Sequence, residues 1–196
     1  KGLSEREYPA DVVIWPIAFT VAGNDLAAVY RQLDEHGARV RGHLERAGIP
    51  SAAISLSTPV LTDKSAQAWG GAPQPELRYV ATRNVTVYSH QVDAVRAAMG
   101  GLVELGKQGI AFTGDAYQNR VQYLFTQLNE VKPGMVEEAT RKAREVAQKF
   151  AEDSESGLGK IRRAAQGQFS IEDRDSNNPH IKKVRVVSTV EYYLSD

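Results

Sequence analysis

The sequence predicts an α+β fold: mixed, largely antiparallel sheet with about three amphipathic helices packed on one side. Three observations carry that reading. From Met135 to Phe150 apolar residues recur at helical spacing, at Met135, Val136, Ala139, Ala143, Val146, Ala147 and Phe150. The stretches 77–88 and 184–194 instead alternate apolar and polar residues with the period of a strand. The two patterns then interleave along the chain in the order βαββαβαββ, and no Pro/Gly-rich linker or change of composition divides it.

Residues 11–22 (DVVIWPIAFTVA) open the order as a strand with a defect. Val12 and Ile14 share one parity while Ile17, Phe19 and Val21 share the other, so a β-bulge at Trp15-Pro16 is expected. Asn24 or Asp25 caps a helix whose apolar set is Leu26, Val29, Tyr30, Leu33, Val40, Leu44 and Ala47, ended by Gly48 and Pro50. A strand near 53–61 follows, with Ile54, Leu56 and Val60 on one face. The stretch 62–76 has no period and many small or polar residues, which predicts a loop long enough to be functional.

Leu77, Tyr79, Ala81, Val85 and Val87 then share one strand face, which Arg83 interrupts, so a strand end or sheet margin is expected there, with a buried, paired arginine as the alternative. Ser89 caps a shorter helix through Val92, Val95, Met99 and Leu102, and a strand near 119–128 aligns Val121, Tyr123 and Phe125. The first six elements match the ferredoxin-like order.

The long C-terminal helix is expected to start at Pro133, where a missing N–H costs nothing, and to stop at Gly157 and Gly159. Its outer face pairs Glu137 with Arg141, Glu138 with Lys142 and Glu145 with Lys149, each acid four residues before its base. A final hairpin closes the chain. One domain over 1–196 is expected, with two lobes near 1–128 and 129–196 as the alternative division.

Composition removes several function classes. The 196 residues suffice for a core without metal or disulfide. Twenty-four basic residues balance twenty-four acidic ones, which argues against a dedicated nucleic-acid binder. The absence of cysteine excludes thiol catalysis and thiolate metal sites. No run of apolar residues is long enough for a membrane-spanning helix. Because the chain opens on Lys1 rather than Met, a signal peptide or N-terminal anchor upstream is an expectation.

No constellation in the sequence points to catalysis. Gly101 to Gln108 follows P-loop spacing, but Gln108 replaces the magnesium-holding Ser or Thr and the segment ends a helix instead of opening one. Asp173, Asp175 and Asn177 have the alternate spacing of a calcium loop, yet Asn178 and Val184 stand where that loop needs Gly and Glu, so a polar turn is expected. His36, His43, His90 and His180 form no metal-binding pattern. No catalytic, cofactor-binding or metal residue is therefore assigned, no cofactor is expected, and an enzyme is not predicted.

Two surfaces remain. Arg162, Lys183 and Arg185, on the two strands of the final hairpin, form a cationic patch if they share a face. Trp69, in the 62–76 loop, is a candidate interface anchor.

The helix EATRKAREVAQKFAEDS, the turn and strand SGLGKIRRAAQG and the closing strand VRVVSTVEYYL together resemble the SIMPL-domain family, found mainly in bacterial envelope proteins and including periplasmic immunogenic proteins. The opening KGLSEREYPADVVIWPIAFTVAGND is similar to the start of a branch with an N-terminal anchor or signal. The resemblance implies an α+β fold, export to the periplasm or cell envelope, self-assembly and an association with stress tolerance. It supplies no catalytic residues. The expectation is thus a non-enzymatic envelope protein acting through self-assembly or contacts with another envelope protein. The alternative is a module that binds a small anionic ligand on the cationic hairpin.

Overall fold

The structure, a computed structural model, describes residues 1–67, 76–113 and 119–195. Among these the strands are β1 (Gly2–Pro9), β2 (Val12–Gly23), β3 (Ile54–Leu56), β4 (Val60–Asp63), β5 (Tyr79–Ser89), β6 (Ala111–Phe112), β7 (Gln122–Leu124), β8 (Gly157–Gln166), β9 (Ser170–Asp173) and β10 (Ile181–Ser195). The α-helices are α1 (Leu26–Arg46), α2 (Val92–Met99), α3 (Leu102–Lys107) and α4 (Leu128–Asp153). The fold is α+β, and every strand pairing whose register is resolved is antiparallel. The chain divides into two compact units, Lys1–Asp11 with Leu124–Asp196, and Val12–Tyr123. The division falls after Tyr123, and the first strand belongs with the C-terminal residues.

In the Val12–Tyr123 unit β2 lies between β5 on one side and β6 and β7 on the other, while β3 and β4 pair in tandem along the far edge of β5. That is the ferredoxin-like strand order, with each edge strand broken into two short pieces. Short, interrupted edges offer little template for unwanted strand addition.

The expected bulge at Trp15-Pro16 does not form: β2 and β5 pair in unbroken register from Val13↔Ser89 to Gly23↔Tyr79. The core face is Val13, Trp15, Ile17, Phe19 and Val21, a clean alternation through Trp15, and Val12 and Ala18 are also buried. Helix α1 covers this face with Val29, Leu33, Val40 and Leu44, and Asp25 caps it by accepting the Ala28 N–H at 2.9 Å. Arg83 is not at a margin. It sits mid-strand opposite Phe19, and its Nη1 meets Asp34 of α1 at 2.5 Å.

In the other unit β10 is the central strand. Its first half pairs with β1 on one side and β9 on the other, and its second half pairs with β8. Helix α4 lies on this sheet and buries Met135 and Ala139 against Val184 and Val186, with Tyr8, Phe125, Leu128, Val131 and Phe169 around them. α4 starts five residues before the expected Pro133, which therefore sits inside it and leaves the Asn129 carbonyl without an in-helix donor.

The helix ends at Asp153, and Glu155 takes the left-handed φ of 56° that Gly would be expected to supply. Gly157 and Gly159 instead belong to β8. A Cβ on Gly159 would lie 2.7 Å from the Tyr193 carbonyl oxygen, so these glycines permit close strand approach.

Glu138 ties β1 to α4. Its carboxylate accepts hydrogen bonds from Ser4 Oγ (2.9 Å), Arg6 Nη2 (2.8 Å) and Lys142 Nζ (2.7 Å). Lys142 above all, then Ser4 and Arg6, hold its pKa down at about 2. An unfolded glutamate titrates near ~4.3. Its stabilising contribution is therefore full above that value and is lost as pH falls towards the folded one. We expect Glu138→Gln to lower the urea midpoint at pH 7, and to show a smaller further fall between pH 5 and pH 3 than the unmodified chain shows. Parallel pH profiles would contradict this role for Glu138.

Candidate functional site

The hairpin that carries the predicted cations is long, and its register keeps them apart. Lys183 lies between Glu7 of β1 and Glu172 of β9, and Arg185 pairs with Glu5, its Nε 4.0 Å from Oε2. Acids thus flank both cations on the same sheet face. Arg162 sits on β8 in the register shift beside Arg163, which pairs with Glu191. Glu191 is six residues along β10 from Arg185, about 20 Å at strand rise. Lys183 and Arg185 are neighbours, but Arg162 does not join them. Trp69 lies outside the described residues. The Asp173–Asn178 stretch is a turn in which Asp175 accepts the N–H groups of Asn177 and Asn178, both at 2.9 Å.

What stands out instead is the end of the hairpin. The β1–β10 ladder stops at Gly2↔Ser188, so Thr189–Ser195 has β8 on one side and, among the described residues, no strand on the other. This two-stranded arm is also apolar and open: Ile161 is 52%, Tyr193 57% and Leu194 59% exposed, and Phe150 on the last turns of α4 is 70% exposed. Cross-strand pairing of Tyr192 with Ile161 and of Leu194 with Leu158 places those four residues on the sheet face that carries α4. Among the described residues Lys160, Arg162 and Arg163 of β8 make no ion pair, nor do Glu152, Asp153 and Glu155 beside it at the end of α4.

In the Val12–Tyr123 unit a cleft of about 400 Å³ runs along α1. Arg31, Gln32, Glu35, His36 and Arg39 form one stripe of the helix, and the Gln108–Gly109 turn after α3 makes the opposite wall. His36 is 6% exposed and its Nδ1 has no hydrogen-bond partner. Burial, with Arg39 nearby, holds its pKa below the ordinary histidine value. A buried polar atom left in this state costs about 1–3 kcal/mol. Sequence reasoning set His36 aside for want of a metal pattern. The signal for the cleft was the polar stripe running beside the apolar one on α1.

Residues 1–191 match the family model described as SIMPL: Protein of unknown function (DUF541). The chain belongs to the SIMPL family. The match runs through both units, from β1 into β10, so the resemblance carried by the C-terminal helix and hairpin holds for nearly the whole SIMPL chain. No curated protein matches it. Among the described residues no helix is long and apolar enough to cross a membrane, and no three His, Asp or Glu side chains gather as metal ligands would.

Proposed function

We propose that this SIMPL protein acts without catalysis, by assembling with copies of itself in the bacterial envelope. The observation that carries the reading is the arm, an unpaired strand edge at Thr189–Ser195 next to exposed Ile161, Tyr193 and Leu194. Open backbone donors and acceptors recruit a further strand, and apolar side chains around them reward its arrival. The occupant is a second copy because the surface offers both halves of a charge match. The unpaired cations Lys160, Arg162 and Arg163 complement the unpaired acids Glu152, Asp153 and Glu155 of the next chain.

Light scattering across dilution is expected to give a multiple of the 21.5 kDa chain mass, and Ile161→Glu with Leu194→Glu is expected to reduce it to one chain. A single-chain mass for the unmodified protein at every concentration would sink the proposal. The envelope location belongs to the same reading, rests on the family resemblance and suits a chain without cysteine. Recovery of the full-length protein in the cytosolic fraction of its bacterium would overturn that part alone.

A further inference from the structure

We propose that the cleft along α1 binds a small dianion, a molecule with a carboxylate or phosphate group at each end. This site lies in the Val12–Tyr123 unit and is independent of the assembly arm.

The arginines of the cleft do not turn to the acid that lies between them. Glu35 is four residues after Arg31 and four before Arg39, the spacing at which helices form ion pairs, yet neither arginine is paired with it. Four other arginines among the described residues of this unit do find acids: Arg41 meets Glu45 at 3.5 Å, Arg78 meets Asp63 at 2.8 Å, Arg96 meets Asp93 at 3.7 Å, and Arg83 meets Asp34. Arg31 and Arg39 therefore bring two free guanidinium forks to one polar cleft, and such forks match carboxylate and phosphate oxygens in pairs.

His36 lines the cleft, is almost wholly buried and has a ring nitrogen without a partner. The ring packs edge-on against Phe19 and closes the inner side of the cleft, its unpartnered nitrogen shut off from solvent.

Eight residues of helix set the Arg31 and Arg39 Cα atoms about 12 Å apart, and long side chains shorten that span to the length of a small metabolite. A volume of about 400 Å³ falls within the range of small-molecule sites. Glu35 stands midway and repels negative charge at the centre, which favours a ligand charged at its ends. The Gln32 and Gln108 amides are left to bond a neutral middle. The opposite wall is fixed in shape, because Gly109 holds φ at 93° and the Ile110 N–H bonds the Leu105 carbonyl at 3.2 Å.

The test is titration of the whole chain at low salt with glutarate and with pyrophosphate, followed by calorimetry and by the His36 ring resonance. Saturable binding of at least one probe is expected, and the tighter probe identifies the end group as carboxylate or phosphate. Arg31→Gln and Arg39→Gln should each weaken it about tenfold or more, and Glu35→Gln should tighten it several-fold. Arg46→Gln, on the same helix but outside the cleft, should leave it unchanged. These positions are exposed, so the variants are expected to keep the unmodified circular dichroism spectrum. No saturable binding of either probe, equal weakening by Arg46→Gln, or tighter binding of inorganic phosphate than of both dianions would overturn the proposal.

Discussion

Phe19→Ala is expected to cost the Val12–Tyr123 unit about 3–5 kcal/mol. Phe19 is fully buried in the middle of β2, with Arg83 opposite on β5 and Phe112 opposite on β6. Above it α1 comes close through Gly37, where an added Cβ would stand 3.7 Å from the Phe19 ring. Two strand backbones and a glycine thus border the space the ring fills. Arg83 is held by its ion pair with Asp34 and Gly37 has no side chain to move in, so much of the void persists. Phe19→Leu, which keeps most of the volume, is expected to cost less than half as much. The measurement is the urea midpoint by circular dichroism for both variants. A loss below about 1 kcal/mol for Phe19→Ala would mean that α1 settles onto the sheet after all. The His36 ring packs edge-on against Phe19 at 6.3 Å, so the same variant is expected to shift the His36 resonance. The floor of the α1 cleft and the core of this unit are one packed structure.

The parts of the fold that were legible in the sequence are those where one period dominates. α1, β5 and β10 show this, and the ferredoxin-like order read for the first six elements is the order of the Val12–Tyr123 unit. Where two periods overlap, sequence reasoning failed. Val12 and Ile14 stand off the true core parity of β2, and Val12 is buried, which gave the look of a defect at Trp15-Pro16. β1 was missed for the opposite reason. Its inward residues Gly2 and Ser4 are not apolar, and what they contribute is small size and a hydroxyl for Glu138. No hydrophobic pattern reports a strand chosen for close approach.

The cationic patch failed on register. Two bulges on β8 and the acids of β1 and β9 settle which charges meet, and hairpin parity alone contains neither. The α1 cleft depends on a turn some seventy residues away in sequence, which no local reading brings to the helix.

Met135→Ala is expected to destabilise the other unit by about 2–5 kcal/mol. The fully buried cluster there is only Met135, Ala139, Val184 and Val186, so Met135 is its one long side chain. Ala139→Leu adds volume to the same cluster and should cost about 1–3 kcal/mol, but by another route. A Cβ on Gly2 would lie only 1.9 Å from the Ala139 carbonyl oxygen, so β1 and α4 meet backbone to backbone, with no side chain between them that could yield. Among the described strands β1 is held in the sheet by β10 alone, whereas Ser4 and Arg6 also bond it to Glu138 of α4. A leucine at 139 is therefore expected to lift Gly2–Ser4 from β10 and leave the α4 contact with Val184 and Val186 in place. Amide exchange separates the two outcomes. Met135→Ala should speed exchange across the whole unit in proportion to its lost stability, whereas Ala139→Leu should release β1 first. If both variants release β1 and β10 together, the helix and the four-stranded sheet unfold as one body, and the close contact at Gly2 is no weaker than the rest.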